Sequence, residues 1–301
     1  MSDTRLTQKD VALFFFPLLL NIQLMSVSHS VINAGLARMD DAVVILAGFS
    51  VAMVLHLFVA SPSYQNHTIT IAMVRGRKSL ISATIFIFLI AIWVSILLAL
   101  LAFSPVGIFV LHRVLGVSAE VAQGARDALA LLVFLPFITG LRGLFQGLVI
   151  RARRTGLVSF ATAVRIVMLF AYLWLGQLWF SGTRVAAFAL LGCVGTETLV
   201  IGYFAWRVRL PAAENDTNSF AEILRYGLPL AYSSGLQQTV PLLINAIISR
   251  LPDGTLALAA FGVIRGFLFL LAGPMRNLQQ AYLTLVRQDR DNNILISFFI
   301  K

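Results

Sequence analysis

The sequence predicts an all-α integral membrane protein. It should hold eight transmembrane helices and a stub, arranged as a complete six-helix lobe and the start of a second, parallel-repeat lobe. Three observations carry this reading. The 301 residues are 59% hydrophobic and only 12% charged, with mean hydropathy +0.88. A soluble domain carries about 25% charged residues, so this chain cannot cover a water-soluble globule of its size. Apolar runs of the length that crosses a bilayer, about 20 residues, follow one another along the chain. Finally, the stretch VINAGLAR at 31–38 returns as LINAIISR at 243–250. The runs are too long, and alternate too little, for a closed β-barrel.

The runs come in order. Residues 11–37, 42–74 and 79–111 contain no Asp, Glu, Lys or Arg. Residues 128–150 contain Arg142 alone, 155–182 Arg165 alone, and 185–206 Glu197 alone. Residues 226–249 contain no charge, and 255–286 contain Arg265 and Arg276. A ninth run begins near Ile294. The first is too long for a secretory signal, and its counterpart recurs inside the chain, so it reads as an uncleaved span.

The net charge of +10 is explained by the loops rather than by nucleic acid. Arg5, Lys9, Arg75, Arg77, Lys78, Arg151, Arg153, Arg154, Arg207, Arg209, Arg287 and Arg290 fall on one side, twelve in all. Arg38, Arg113, Arg126, Arg184 and Arg250, five, fall on the other. Basic loops stay inside, which predicts a cytoplasmic N-terminus in a multi-pass protein of the cell (inner) membrane. The single cysteine, Cys193, excludes an internal disulfide.

The recurrence extends without a gap. Offset by 212, residues 17–78 match 229–290 at sixteen of 62 positions. Among them are Pro17 with Pro229, Asn33 with Asn245, Arg38 with Arg250, Asp41 with Asp253 and Pro62 with Pro274. Apolar helices match one another easily, but aligned Pro, Asn, Arg and Asp indicate a duplication. Six spans, an even number, separate the copies, so both enter from one side, about a pseudo-axis along the membrane normal. The expected division is 1–206 as first lobe, 207–222 as cytoplasmic linker and 223–301 as the beginning of a second lobe. About four more helices would complete it, so the sequence reads as truncated or as a fragment.

The candidate path residues are those whose polarity sits inside the spans. Span two, 33 residues, would be about 50 Å long if straight, against a core of about 30 Å. Pro62, and Pro274 in span eight, should kink their helices. Tyr64, Gln65, Asn66 and His67 follow the first kink, and Arg276, Asn277, Gln279 and Gln280 the second. Arg165 and Arg265 lie deep in their spans, where a lone charge costs at least about 2.5–3.5 kcal/mol, so each should face the bundle or a wet cavity. One reading is a basic lining for an anionic solute; the other is a structural pair in which Glu197 neutralises Arg165. Arg142 and Gln146, four apart, share one helix face; Arg142 could touch a ligand or snorkel to the interface. Gln237, Gln238, Asn33 and Asn245 complete the set, the two asparagines being placed to cap or cross-link helices. His29 is the proton-site candidate, since an imidazole titrates near neutral pH. No partner stands at ligand spacing from His29 or His56, so no metal is expected.

At these residues the chain resembles a known superfamily. FLPFITGLRGLFQGLVIRARRTGLVS, residues 134–159, resembles the fourth-helix region of multidrug and toxic-compound extrusion (MATE) transporters, within the multidrug/oligosaccharidyl-lipid/polysaccharide exporter superfamily. DDAVVILAGFSVAMVLHLFVASP and LLAGPMRNLQQAYLTLV are similar to the progressive ankylosis proteins, exporters of small anions in that superfamily. The resemblance implies two six-helix lobes rocking about a central cavity. It also implies a secondary exporter of small organic solutes, anions where the interior is basic as here, driven by an H+ or Na+ gradient. Proton-coupled relatives carry an Asp in the first helix and sodium-coupled ones a Glu in the seventh. Here span one offers Asn21, Ser26, Ser28, His29, Ser30 and Asn33, and span seven Gln237, Gln238 and Asn245, none a carboxylate. The coupling ion therefore stays open. The alternatives are a flippase for a lipid-linked substrate, which would need a basic cavity open sideways to membrane lipid, and a truncated product that transports nothing. No HExxH, GxSxG or paired intramembrane carboxylates point to an enzyme, and no cofactor is expected.

Overall fold

Two helices open on the same device, 212 residues apart. Thr7 caps α1 (Gln8–Leu36) in a capping box with Asp10, and Ser219 caps α10 (Phe220–Ile248) in a capping box with Glu222. Each side chain thereby satisfies a backbone donor that the first turn leaves open. The computed structural model describes residues 7–208, 218–286 and 289–300. Side chains at 269, 270, 273, 274, 276, 277, 279, 289, 290, 292 and 300 lie outside that description.

Between these two lie α2 (Ala42–Val59), a 3₁₀ turn (Ser61–Gln65) and α3 (Asn66–Met73). Then come α4 (Arg77–Phe103), the short α5 (Pro105–Phe109) running into a π-turn (Val110–Val114), α6 (Ala119–Leu132) and α7 (Leu135–Arg151). The helices α8 (Thr155–Trp179) and α9 (Thr183–Trp206) follow, and α11 (Gly254–Leu285) and α12 (Asp289–Ile300) end the order. Among the described residues there is no strand, and the protein is an all-α, multi-pass membrane protein. Five helices (α1, α2, α4, α8 and α9) are long and apolar enough to cross a bilayer, and α6 with α7, bent by 50° between them, meet the same measure only when taken together. The expected seventh and eighth spans correspond to α10, of 29 residues, and α11, of 32. Among the described residues neither is apolar enough over a bilayer's length to count with those five: Ser233, Ser234, Gln237, Gln238 and Asn245 dilute α10, and the apolar part of α11 is Gly254–Leu268.

The 212 offset carries over from residue identity to helix boundaries. α10 starts and ends at 220 and 248 against 8 and 36 for α1. α11 runs 254–285 where α2 through α3 run 42–73, and α12 starts at 289 where α4 starts at 77. Packing repeats as well: α1 lies along α11 and α10 along α2, while neither α1–α2 nor α10–α11 makes more than slight contact. Such an exchange of partners is what a two-fold relation produces. One feature does not repeat. The first copy breaks at 61–65, where Pro62 supplies no amide to the helix; α11 is continuous across position 274. Pro274, Arg276, Asn277 and Gln279 are themselves outside the described side chains, as is the 209–217 part of the expected linker.

Two expected spans need correction. The run 79–111 is not one helix, because Ser104 caps a new helix with Pro105 in its first turn. The run 128–150 straddles the α6–α7 bend at Val133 and Phe134, with Pro136 just beyond it. In both, a proline within an apolar run starts a helix, where it has no amide to lose.

The core has two apolar clusters. One gathers Ile32, Leu36, Leu98, Leu111, Leu129, Leu169 and Leu190. The other gathers Val11, Leu18, Ile69, Ile87, Leu144, Ile150 and Ile201. Lipid-facing side chains on the outside are large and apolar, Trp93, Phe170, Trp174 and Leu199 among them. α3 is pressed onto α7 by glycines: a Cβ at Gly147 would stand 2.5 Å from Thr70 Cβ and 2.9 Å from the His67 carbonyl oxygen. A Cβ at Gly156, by contrast, meets nothing within 4 Å. Gly147→Ala should therefore lower stability in detergent by about 1–3 kcal/mol, as overpacking does. Gly156→Ala should stay neutral or gain up to about 1 kcal/mol. Thermal unfolding of the two variants checks this, and equal losses would refute the close packing.

Candidate functional site

The polar residues of the spans meet in one layer between the two apolar clusters. Glu197 on α9 is its centre, with no exposed surface. It is flanked along its own helix by Val194 of one cluster and Ile201 of the other. Arg142 of α7 donates Nη1 to Glu197 Oε2 at 3.2 Å, and Arg165 of α8 donates Nη1 to the same oxygen at 3.1 Å. Gln146 donates Nε2 to Oε1 at 3.1 Å and Thr162 its hydroxyl to Oε1 at 2.8 Å. Thr162 also contacts the Asn21 amide, which brings α1 into the knot. Two guanidiniums thus share one carboxylate, and the knot keeps a net positive charge. Arg142 and Arg165 are 8% and 3% exposed, and the Nε of each is buried without a partner.

The local sequence explains the convergence. Thr162 and Arg165, and Arg142 and Gln146, stand three and four apart, so each pair projects from one helix face. The expected pair of Arg165 with Glu197 is present. The snorkelling alternative for Arg142 is corrected: α7 is the second half of a bent pair, and the arginine points inward to Glu197.

Arg265 of α11 approaches the same layer from the second copy. Its Nη2 donates to Gln238 Oε1 of α10 at 3.0 Å. Tyr64, in the 3₁₀ break, lies within electrostatic reach of Arg142, Arg165 and Arg265 together. His29 lies within reach of Arg165 and Arg265, and His67 of Arg142. Gln65 Nε2 donates to Ser234 Oγ at 2.7 Å, another tie between the break and α10. Asn66, beside Gly140 and Gly143 of α7, is fully buried with neither amide atom partnered.

Other expected residues fall elsewhere. Gln237 is exposed. Asn33 and Asn245 sit near the far ends of α1 and α10, where their carbonyls accept the capping amides of Ala37 and Ser249. Asn245 is fully buried, and among the described residues its side chain makes no cross-link to another helix, one of its two expected roles. Sequence reasoning missed Thr162, whose signal was its spacing from Arg165. It also missed a clasp at the far end of α10. There Ser249 Oγ donates to the Leu115 carbonyl, and Arg250 donates to the carbonyls of Ala246, Arg113 and Val114, the last at 2.7 Å. Gly116, at φ +71°, lies under the Arg250 side chain, 3.1 Å from where its own Cβ would be. Among the described residues no group of three His, Cys, Asp or Glu stands ready to hold a metal ion.

Comparison with known proteins places this geometry. The family model of the progressive ankylosis protein (ANKH) matches residues 5–186. The fold is similar to the MATE multidrug transporter DinF-BH, with TM-score 0.68 and 15% identity over 99% of this chain and 67% of that one. It is also similar to the eukaryotic MATE transporter AtDTX14, with TM-score 0.62 and 14% identity over 96% of this chain and 68% of that one. No curated protein matches the chain in sequence.

The charge count makes the knot asymmetric. Removing its acid by Glu197→Leu strands two buried guanidiniums and should cost about 3–5 kcal/mol. Removing one base by Arg165→Met leaves a neutral Arg142–Glu197 pair and should cost clearly less. Unfolding both variants in detergent tests the order, and a larger loss for Arg165→Met would contradict it.

Proposed function

Because the chain belongs to the progressive ankylosis protein family, we propose that it is a secondary transporter exporting small organic anions by alternating access. One observation carries the reading: two buried guanidiniums, from α7 and α8, share a single carboxylate, and Arg265 of α11 lies near enough to act on the same Tyr64. An anion held there exchanges its water for charge-assisted hydrogen bonds. A cation would meet a net positive field. Arg142 and Arg165 belong to the first six-helix unit and Arg265 to the second, so a bound anion would bridge the two. The Arg250 clasp then acts as the closure on the far side, and residues 1–206 and 223–301 move as separate bodies. The N-terminus lies in the cytoplasm, following the basic loops, and the gradient that drives export is of H+ or Na+.

The test is counterflow of radiolabelled organic anions in proteoliposomes, with imposed pH or Na+ gradients. Arg265→Gln and Arg165→Gln should each reduce anion flux at least tenfold while the protein still elutes as a folded species; wild-type flux in both would reject the site. Scrambling of labelled lipid without anion flux would favour the flippase instead. The clasp gives a second readout. In a Cys193→Ala background, an Asn33→Cys probe should be labelled faster from the far side when Arg250→Gln or Gly116→Ala loosens the contact. Unchanged labelling in both, where substrate itself alters it, would remove the clasp from the cycle.

A further inference from the structure

A second feature lies outside the polar layer, on the lipid-facing side of α1 and α8. A groove of about 650 Å³ runs between them, walled by Ala12, Leu13, Phe16, Leu20, Phe160 and Ala163. Its walls are apolar and exposed, Leu13 at 64% and Phe16 at 59%. Pro17, inside the continuous α1, forms part of its side, and its carbonyl accepts a hydrogen bond from the Ser159 hydroxyl. Gly156 leaves the floor empty where a side chain would stand.

Two measures identify what fits. The groove runs along α1 from Lys9 to Leu20, twelve residues with a rise of about 16 Å. That is about half of a 30 Å hydrocarbon core, the depth of one leaflet. Its charge lies at one end. Lys9 lines the mouth, Arg154 caps the start of α8 two residues before Gly156, and Arg153 lies near enough to act on Asp10. The carboxylate of Asp10 is occupied by Thr7. Lys9 at the mouth and the neighbouring Arg154, above an apolar slot one leaflet deep, match an acyl chain beneath an anionic headgroup.

We infer that this groove is a resident site for an anionic phospholipid of the leaflet on the N-terminal side. It is separate from the path proposed above: the groove stops at Leu20, short of Asn21 and the polar layer, and its one polar lining residue beyond Lys9 is Ser159, whose hydroxyl is bonded to the Pro17 carbonyl. The lipid fills the space that Pro17 and Gly156 leave between α1 and α8.

The experiment is native mass spectrometry of the delipidated protein re-exposed to equal amounts of phosphatidylglycerol and phosphatidylcholine. Phosphatidylglycerol should be retained preferentially. Lys9→Gln and Arg154→Gln should each weaken that retention about fivefold, the worth of one surface cation. Gly156→Phe should fill the slot and lower retention of both lipids while the protein stays folded. Equal retention of the two lipids, or retention untouched by Gly156→Phe, overturns the proposal.

Discussion

Charge in the middle of a bilayer must be paired where it stands, and that requirement organises this molecule. Glu197 has no exposed surface and receives donors from α7 and α8 at once. Breaking a buried pair costs far more than an exposed one, so three helices are held in one register by a single carboxylate. The apolar clusters on either side could slide along one another with little penalty, since apolar contact is non-directional. A directional layer between them removes that freedom.

The same layer explains why the repeat is imperfect. Both copies begin their helices at matching positions, yet only the first is broken at 61–65. In the first copy the break presents Tyr64 to the arginines and lets Asn66 and Thr70 press against the glycines of α7. A continuous helix there would carry α3 away from that glycine face. The matching sequence goes with matching helix starts and stops, but not with a matching break at the proline.

Much of this could be read in the residues. Apolar runs gave most spans, and the ungapped Pro, Asn, Arg and Asp matches gave the repeat that helix boundaries then reproduce. The Arg165–Glu197 pair followed from two lone charges in adjacent runs. What was lost was lost for physical reasons. Hydropathy is blind to a bend between two apolar helices, so the breaks at Ser104 and Val133 vanished into long runs. The sequence left open which way Arg142 points, and direction decides whether an arginine snorkels or pairs. The clasp uses backbone carbonyls as acceptors, and carbonyls leave no mark on residue identity.

The distribution of polar ties also tells where the molecule is soft. Within α7, α8 and α9 the ties are charged, buried and convergent. The side-chain ties from the 61–65 turn, α3 and the π-turn to residues 218–250 are neutral or partly exposed: Gln65 to Ser234, Asn218 to the Met73 carbonyl, and the Ser249 and Arg250 clasp. A net hydrogen bond contributes about 0.5–1.5 kcal/mol, so undoing these contacts costs a few kcal/mol, within reach of an ordinary conformational equilibrium. Undoing the Glu197 knot costs as much for each stranded charge. In the transport cycle proposed above, α10 and α11 would move against the rest and leave the knot whole. Arg265, which rides on α11, would then change its distance from Arg142 and Arg165, and a ligand touching all three would feel that motion directly.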